Sequence, residues 1–117
     1  MWEQAYSMSE QIELTKEQYG PLFKYVQDEE VSDIDCNGRR IWITRGSERR
    51  FCVEETLTSD FVAAFCQKLA ILQRQNFNPA NPLLEAETKT LRISVLHESV
   101  SVGGRSISIR KSLPKRR

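Results

Sequence analysis

The chain has 117 residues, 39% of them hydrophobic and 28% charged, a length and balance that suit one folded domain and exclude a second independent core. No apolar run approaches the roughly 20 residues that cross a bilayer as a helix, and the opening MWEQAYSMSEQ lacks the basic and apolar regions of an export signal. The net charge of +1 conceals an asymmetry: residues 1–35 hold nine acids against two bases, residues 36–117 hold seven against fifteen, and from Arg105 onward there are six bases and no acid.

Residues 1–14 are a poorly patterned N-terminal segment. Thr15 and Gln18 have the spacing of a capping box, and Tyr19, Leu22, Phe23 and Val26 then recur at helical spacing, although Gly20 and Pro21 place the regular part of the helix later than the cap. After the acidic Asp28, Glu29 and Glu30 the period changes to alternation, and Asn37-Gly38 predicts a type I′ hairpin turn with Ile34 opposite Ile41. A second turn near Gly46 and Ser47 returns the chain through Phe51 and Val53 as a third strand. Thr58 or Ser59 caps the strongest helix, with Phe61, Phe65, Leu69 and Leu72 on one face, Val62 and Cys66 beside them, and Asp60 at the positive end of its dipole. The prolines of QNFNPANP end that helix, and LRISVLHE and RSISIRKS follow as extended segments joined by a loop containing Gly103 and Gly104. The order of elements predicts an α+β domain: a mainly antiparallel sheet of five to six strands with two covering helices.

Chemistry is sparse in this pattern. There is no GxxxxGK[ST], GxGxxG, HExxH or GxSxG motif, and the single histidine, His97, has no histidine or cysteine at ligand spacing. Cys36, Cys52 and Cys66 lie in apolar-patterned segments at spacings that fit neither disulfides nor zinc, as buried free thiols of a reducing compartment do. Glu85 and Glu87 alternate on a strand with nothing opposed to them, which makes a solvated face a better reading than an acid/base pair. Arg39, Arg40, Arg45, Arg49 and Arg50 lie around Trp42 and Phe51, a basic and aromatic grouping that supports an alternative reading as a stand-alone interaction module for nucleic acid or an acidic protein partner; the acidic first third opposes a polyanion.

The last third, NPLLEAETKTLRISVLHESVSVGGRSISIRK, resembles the region just before the catalytic domain in bacterial secretion ATPases of the type II/IV family, the hexameric motors of type IV secretion and tight-adherence pilus assembly. The likeness rests on a Pro with an apolar and acidic strand at Asn81–Glu85, Arg92 on the next strand, the glycines 103 and 104, and a closing Ser-Ile-Arg-Lys at Ser108–Lys111. VSDIDCNGRRIWITRG is similar to that family's opening strand pair, so the resemblance covers roughly residues 31–111. Thr90-Leu91 and His97-Glu98 depart from it, standing where the family commonly has a glycine and a Pro-Pro.

The resemblance implies that residues 15–111 are the N-terminal domain of a secretion ATPase and that residues 112–117 begin the linker to a further domain that hydrolyses ATP with Mg. In that family two arginines of the N-terminal domain point at the terminal phosphates of a nucleotide in the interdomain cleft. By motif position these are Arg92 and Arg110, with Arg105 and His97 as accessory candidates. The implied role is a regulatory, nucleotide-clamping domain in protein transport or pilus assembly, cytoplasmic and peripheral at the inner face of the bacterial cell membrane. Its implied partners are the ATPase domain, neighbouring subunits of a homohexamer and inner-membrane components, without nucleic acid; ATP and Mg belong to the full-length protein and this stretch binds no cofactor alone. Strand alternation adds that His97, Ser99, Ser101, Ser106, Ser108 and Arg110 share a polar face opposite Val100, Val102, Ile107 and Ile109. Arg92 has the opposite parity to His97, so a bulge or break between them is needed for both arginines to meet one phosphate.

Overall fold

The computed structural model describes residues 11–111; the expectations for residues 1–10 and 112–117 lie outside them. Thr15 opens the first helical segment as a complete capping box, its hydroxyl accepting from Gln18 N at 3.2 Å while the Gln18 side chain accepts from Thr15 N at 2.8 Å. One turn, α1 (Lys16–Tyr19), stops at Gly20, a tight turn Gly20–Leu22 passes through Pro21, and α2 (Phe23–Gln27) resumes. The glycine and proline therefore interrupt the helix instead of delaying it. The interruption also moves the buried stripe, which is Tyr19, Leu22 and Tyr25, with Phe23 and Val26 only partly covered. Gly20 has φ 54°, and a Cβ there would stand 2.7 Å from Phe61 Cε1, so its missing side chain lets this segment close on the second helix.

Three strands follow, β1 (Val31–Asn37), β2 (Arg40–Arg45) and β3 (Phe51–Thr56), then α3 (Ser59–Gln73), and then β4 (Leu83–Glu87), β5 (Leu91–Leu96) and β6 (Ser106–Lys111). All pair antiparallel in one six-stranded sheet of order β3-β2-β1-β6-β5-β4, as the α+β reading of the sequence expects. The first hairpin turns one residue later than predicted. Asn37 pairs with Arg40, so Gly38 and Arg39 are the central residues, only Gly38 has positive φ (63°), and Ile34 faces Ile43 instead of Ile41. Glycine first with a single positive φ is the pattern of a type II′ turn. A second constraint fixes the glycine: a Cβ at Gly38 would lie 2.6 Å from the Gly103 carbonyl oxygen, and Gly38 N donates to Arg105 O at 2.9 Å. The β1–β2 turn and the β5–β6 loop are thus seated on one another.

Inner-face side chains meet in two rows across the sheet. Ile43, Ile34, Ile109, Ile93 and Ala86 form one, and Ile41, Cys36, Ile107, Val95 and Leu84 the other. All ten are buried beneath α3 and the α1–α2 segment. Thr58 caps α3 by accepting from Phe61 N at 3.0 Å, and Arg74 ends it in the left-handed region. The helix is turned slightly from the predicted stripe, burying Val62, Phe65, Cys66 and Leu69 while Leu72 sits at the rim. Ile12, in the poorly patterned segment, also enters the core and donates its N–H to Glu87 O at 2.8 Å along the outer edge of β4. No described helix is long and apolar enough to cross a membrane.

Candidate functional site

Arg92 and Arg110 are direct cross-strand partners on β5 and β6. Both point to the face of the sheet opposite the helices, because Ile93 and Ile109, their buried neighbours, point inward. Of the bulge or break that the parity argument demands, the structure has the break: β5 ends at Leu96, so His97 is no longer part of the strand and does not share the face of Arg110. Ser108 and Ser106 do share it, with Ser94 and Leu96 opposite them. Val100 and Val102 lie in the connecting loop, exposed and not on the inner face.

The arginine pair belongs to a cavity of about 600 Å³ whose lining includes Glu85, Glu87, Ser94, Ser108, Gln73 and Gln75. Arg110 Nε is 3.2 Å from Asp33 Oδ1 on β1, and Arg92 Nε is 3.9 Å from Glu87 Oε2 on β4. Both guanidiniums stay largely open to solvent, at 76% and 70% side-chain exposure, which leaves most of their donors free. Two like charges directly opposite each other on a sheet are unfavourable unless anions lie near, and a guanidinium's planar fork matches the oxygens of phosphate. Gln75 borders the cavity from beyond α3, its amide accepting from Glu85 N at 3.4 Å and donating to Glu85 O at 3.1 Å, so that it stands in for a neighbouring strand. Gln73 Oε1 is a buried acceptor with no hydrogen-bond partner among the described residues.

The accessory candidates are elsewhere. Arg105 precedes β6 at the opposite end from Arg110, its Nε 2.7 Å from Glu98 Oε1 and its guanidinium 5.2 Å from the centre of the Phe77 ring. His97 meets the other side of that cluster edge-on to Phe77 at 5.2 Å, and its Nδ1 accepts from Ser99 N at 3.1 Å. With 12% of its side chain exposed, His97 is packed and not a surface group. The structure therefore brings Arg92 and Arg110 together and leaves Arg105 and His97 out of their cavity. The sequence reading also missed Asp33, Ser94, Gln73 and Gln75; alternation would have placed Ser94 beside Arg92, but only pairing partners could supply the others.

The Glu98–Arg105 contact makes one pH dependence predictable. The Arg105 hydrogen bond first, and the Glu98 backbone N–H next, lower the Glu98 carboxyl to about 2 from an ordinary 4.5. A carboxyl depressed on folding contributes stability that is present above the unfolded value near 4.5 and lost as the pH falls through about 2. Because this pair is partly exposed, the contribution is at most about 1 kcal/mol. The melting temperature of Glu98→Gln should lie below that of the unsubstituted chain at pH 7, and the gap should close between pH 4.5 and pH 2. A gap that is constant over this window would contradict the assignment.

Most of the hairpin arginines are tied into the fold, and of the three thiols expected to be buried, Cys52 is only half-buried. Arg45 pairs with Asp28 at 3.0 Å, Arg50 lies 3.5 Å from Asp35 and over the Trp42 ring, Arg39 donates to Leu57 O at 2.7 Å and Arg40 Nη1 donates to Cys52 Sγ at 4.0 Å, so four of the five hairpin arginines are engaged within the fold. Cys36 and Cys66 are buried beside the helices, with burial pushing the Cys36 thiol up to about 12 and the Cys66 thiol upward too, which keeps both as unreactive thiols. Among the described residues no group of His, Cys, Asp and Glu converges as metal ligands would.

Fold and cavity together define an α+β domain with helices on one face of an antiparallel sheet and an arginine-centred polar surface on the other. A crystal structure with this fold is that of the VirB11 ATPase from the Brucella suis type IV secretion system in complex with sulphate, at a TM-score of 0.74 and 21% identity over 87% of this chain. The match covers 32% of the VirB11 chain, so the present sequence corresponds to about a third of that protein. The sequence matches no protein-family model and no curated protein.

Proposed function

We propose that this chain is the N-terminal, nucleotide-clamping domain of a bacterial secretion ATPase, in which Arg92 and Arg110 meet the terminal phosphate of ATP bound by a separate hydrolysing domain. The observation that carries the reading is the register that sets these two guanidiniums directly opposite each other on an exposed sheet face. The likeness in fold to a type IV secretion ATPase supports it. A charge that gathers on the transferring phosphoryl group is then met by fixed, permanently protonated donors, and loss of the phosphate releases the domain.

The residues fit this division of labour. Arg92 and Arg110 offer phosphate donors, whereas Asp33 and Glu87, the nearest carboxylates, already face guanidiniums, which supports a reading in which Mg is held by the hydrolysing domain. When bound, ATP with Mg supplies the phosphoryl group and the charge on which the arginines act. The same reading places the protein in a homohexamer at the cytoplasmic face of the inner membrane, in contact with secretion or pilus components and without nucleic acid.

The test is the product of the natural reading frame. It should continue into a GxxxxGK[ST] phosphate loop and release phosphate from ATP, while purified residues 1–117 should give no turnover above a blank. A frame that ends at Arg117, or turnover by these residues that survives repurification, would overturn the proposal.

A further inference from the structure

Cross-strand register lays out the open face of the sheet in rows. The first runs Asp33, Arg110, Arg92, Glu87 across β1, β6, β5 and β4, each residue directly opposite the next. The second runs Asp35, Ser108, Ser94, Glu85 in the same way, and the third runs Asn37, Ser106, Leu96, Leu83. Two acidic rails, Asp33 with Asp35 and Glu85 with Glu87, therefore flank a channel two strands wide whose floor is an arginine pair followed by a serine pair.

The spacing of strands sets the scale. Neighbouring strands lie about 4.8 Å apart, so the backbones carrying the rails are separated by about 14 Å and the central pair by a single strand spacing. A terminal phosphoryl group or a short polyphosphate fits over the two guanidiniums with the Ser94 and Ser108 hydroxyls next to it. An extended polyanion does not. Across the strands its next phosphates fall on carboxylates, and along the strands the cations end, since the third row holds only amide, hydroxyl and leucine side chains. A nucleic-acid strand needs several cations in sequence to release its counterions; between the rails this face supplies two, and the next ones, Arg50 and Arg40, lie beyond Asp35 and Asn37, with Arg50 held 3.5 Å from Asp35.

We infer that the acidic rails are specificity determinants of the arginine pair: Asp33 and Glu87, backed by Asp35 and Glu85, admit a compact polyphosphate end and reject extended polyanions. The inference rests on the phosphate-binding reading of Arg92 and Arg110 and adds which anions they accept. The rails also offset the repulsion between the two guanidiniums, through the Asp33–Arg110 contact at 3.2 Å and the Glu87–Arg92 approach at 3.9 Å.

The experiment uses the whole chain at low salt with two probes, inorganic tripolyphosphate and a single-stranded oligothymidylate. Three proteins are compared: the unsubstituted chain, the Asp33→Asn/Glu87→Gln double variant and the Arg92→Ala/Arg110→Ala double variant, each checked by its melting curve. The unsubstituted chain should bind tripolyphosphate and discriminate against the oligonucleotide. Removing the two rail charges should tighten tripolyphosphate about two- to fivefold, as expected for exposed charge pairs, and tighten the oligonucleotide by about tenfold or more, because one strand gains relief at several phosphates. The arginine variant should lose tripolyphosphate binding. An unchanged ratio of the two affinities in the rail variant, with arginine-dependent tripolyphosphate binding intact, overturns this inference and leaves the arginine pair standing. Tripolyphosphate binding that is undetectable in the unsubstituted chain overturns this inference, and binding that is indifferent to the arginines overturns both.

Discussion

Arg110→Ala, introduced into the protein that carries the hydrolysing domain, should lower the rate of ATP hydrolysis by about one to three orders of magnitude, the range for arginines that stabilise transferring phosphoryl groups. The same change in residues 1–117 should hardly alter thermal stability. Its ion-pair partner is Asp33 on the neighbouring strand, not Glu85 or Glu87, and at 76% side-chain exposure such a pair contributes about 0–1 kcal/mol. Loss of the guanidinium also removes its repulsion with Arg92, which opposes even that small cost. Phosphate release and the melting curve must therefore be measured together. Normal turnover with a clearly lowered melting temperature would make Arg110 a structural residue and end its assignment as a phosphate contact.

The contrast between legible and hidden features follows from what is local. Alternation along SISIRK gave the faces of Ser108, Ile109 and Arg110, and the caps at Thr15 and Thr58 were readable because a cap is decided within three residues. The hairpin register was not. Asn-Gly favours a type I′ turn locally, but the loop at Gly103 and Gly104 presses on Gly38 from more than sixty positions away and the turn moves by one residue, carrying Ile34 from Ile41 to Ile43. Alternation carries the period of β5 on through His97, but the strand ends at Leu96, where His97 packs against Phe77 and accepts from Ser99 N. The charge asymmetry was visible as a count but not as an arrangement. Acids of the first third meet bases of the remainder as Asp28 with Arg45, Asp33 with Arg110 and Asp35 with Arg50, since β1 lies between β2 and β6 in the sheet. Long-range strand order turns a sequence dipole into cross-strand pairs, and no local pattern encodes that order.

Ile109→Ala should have the opposite consequence to its neighbour, destabilising the fold by about 3–4 kcal/mol while leaving the arginine surface chemically intact. Ile109 is 1% exposed on β6, a central strand, and stands between Ile34 on β1 and Ile93 on β5 in one of the two inner-face rows. Truncation loses the transfer free energy of three carbons and leaves a void that the flanking isoleucines cannot fill, since each is held by its own cross-strand partner, Ile43 on one side and Ala86 on the other. For a domain of this size the loss corresponds to a fall in melting temperature of about 12–25 °C, a large share of the total margin. Ile109→Val, which removes one carbon, should cost only about 1 kcal/mol and provides the graded control. Urea and thermal unfolding of the two variants decide the matter. Equal stability of the alanine and valine variants would show that the row closes around the void and that the strand is not packed as tightly as its burial implies.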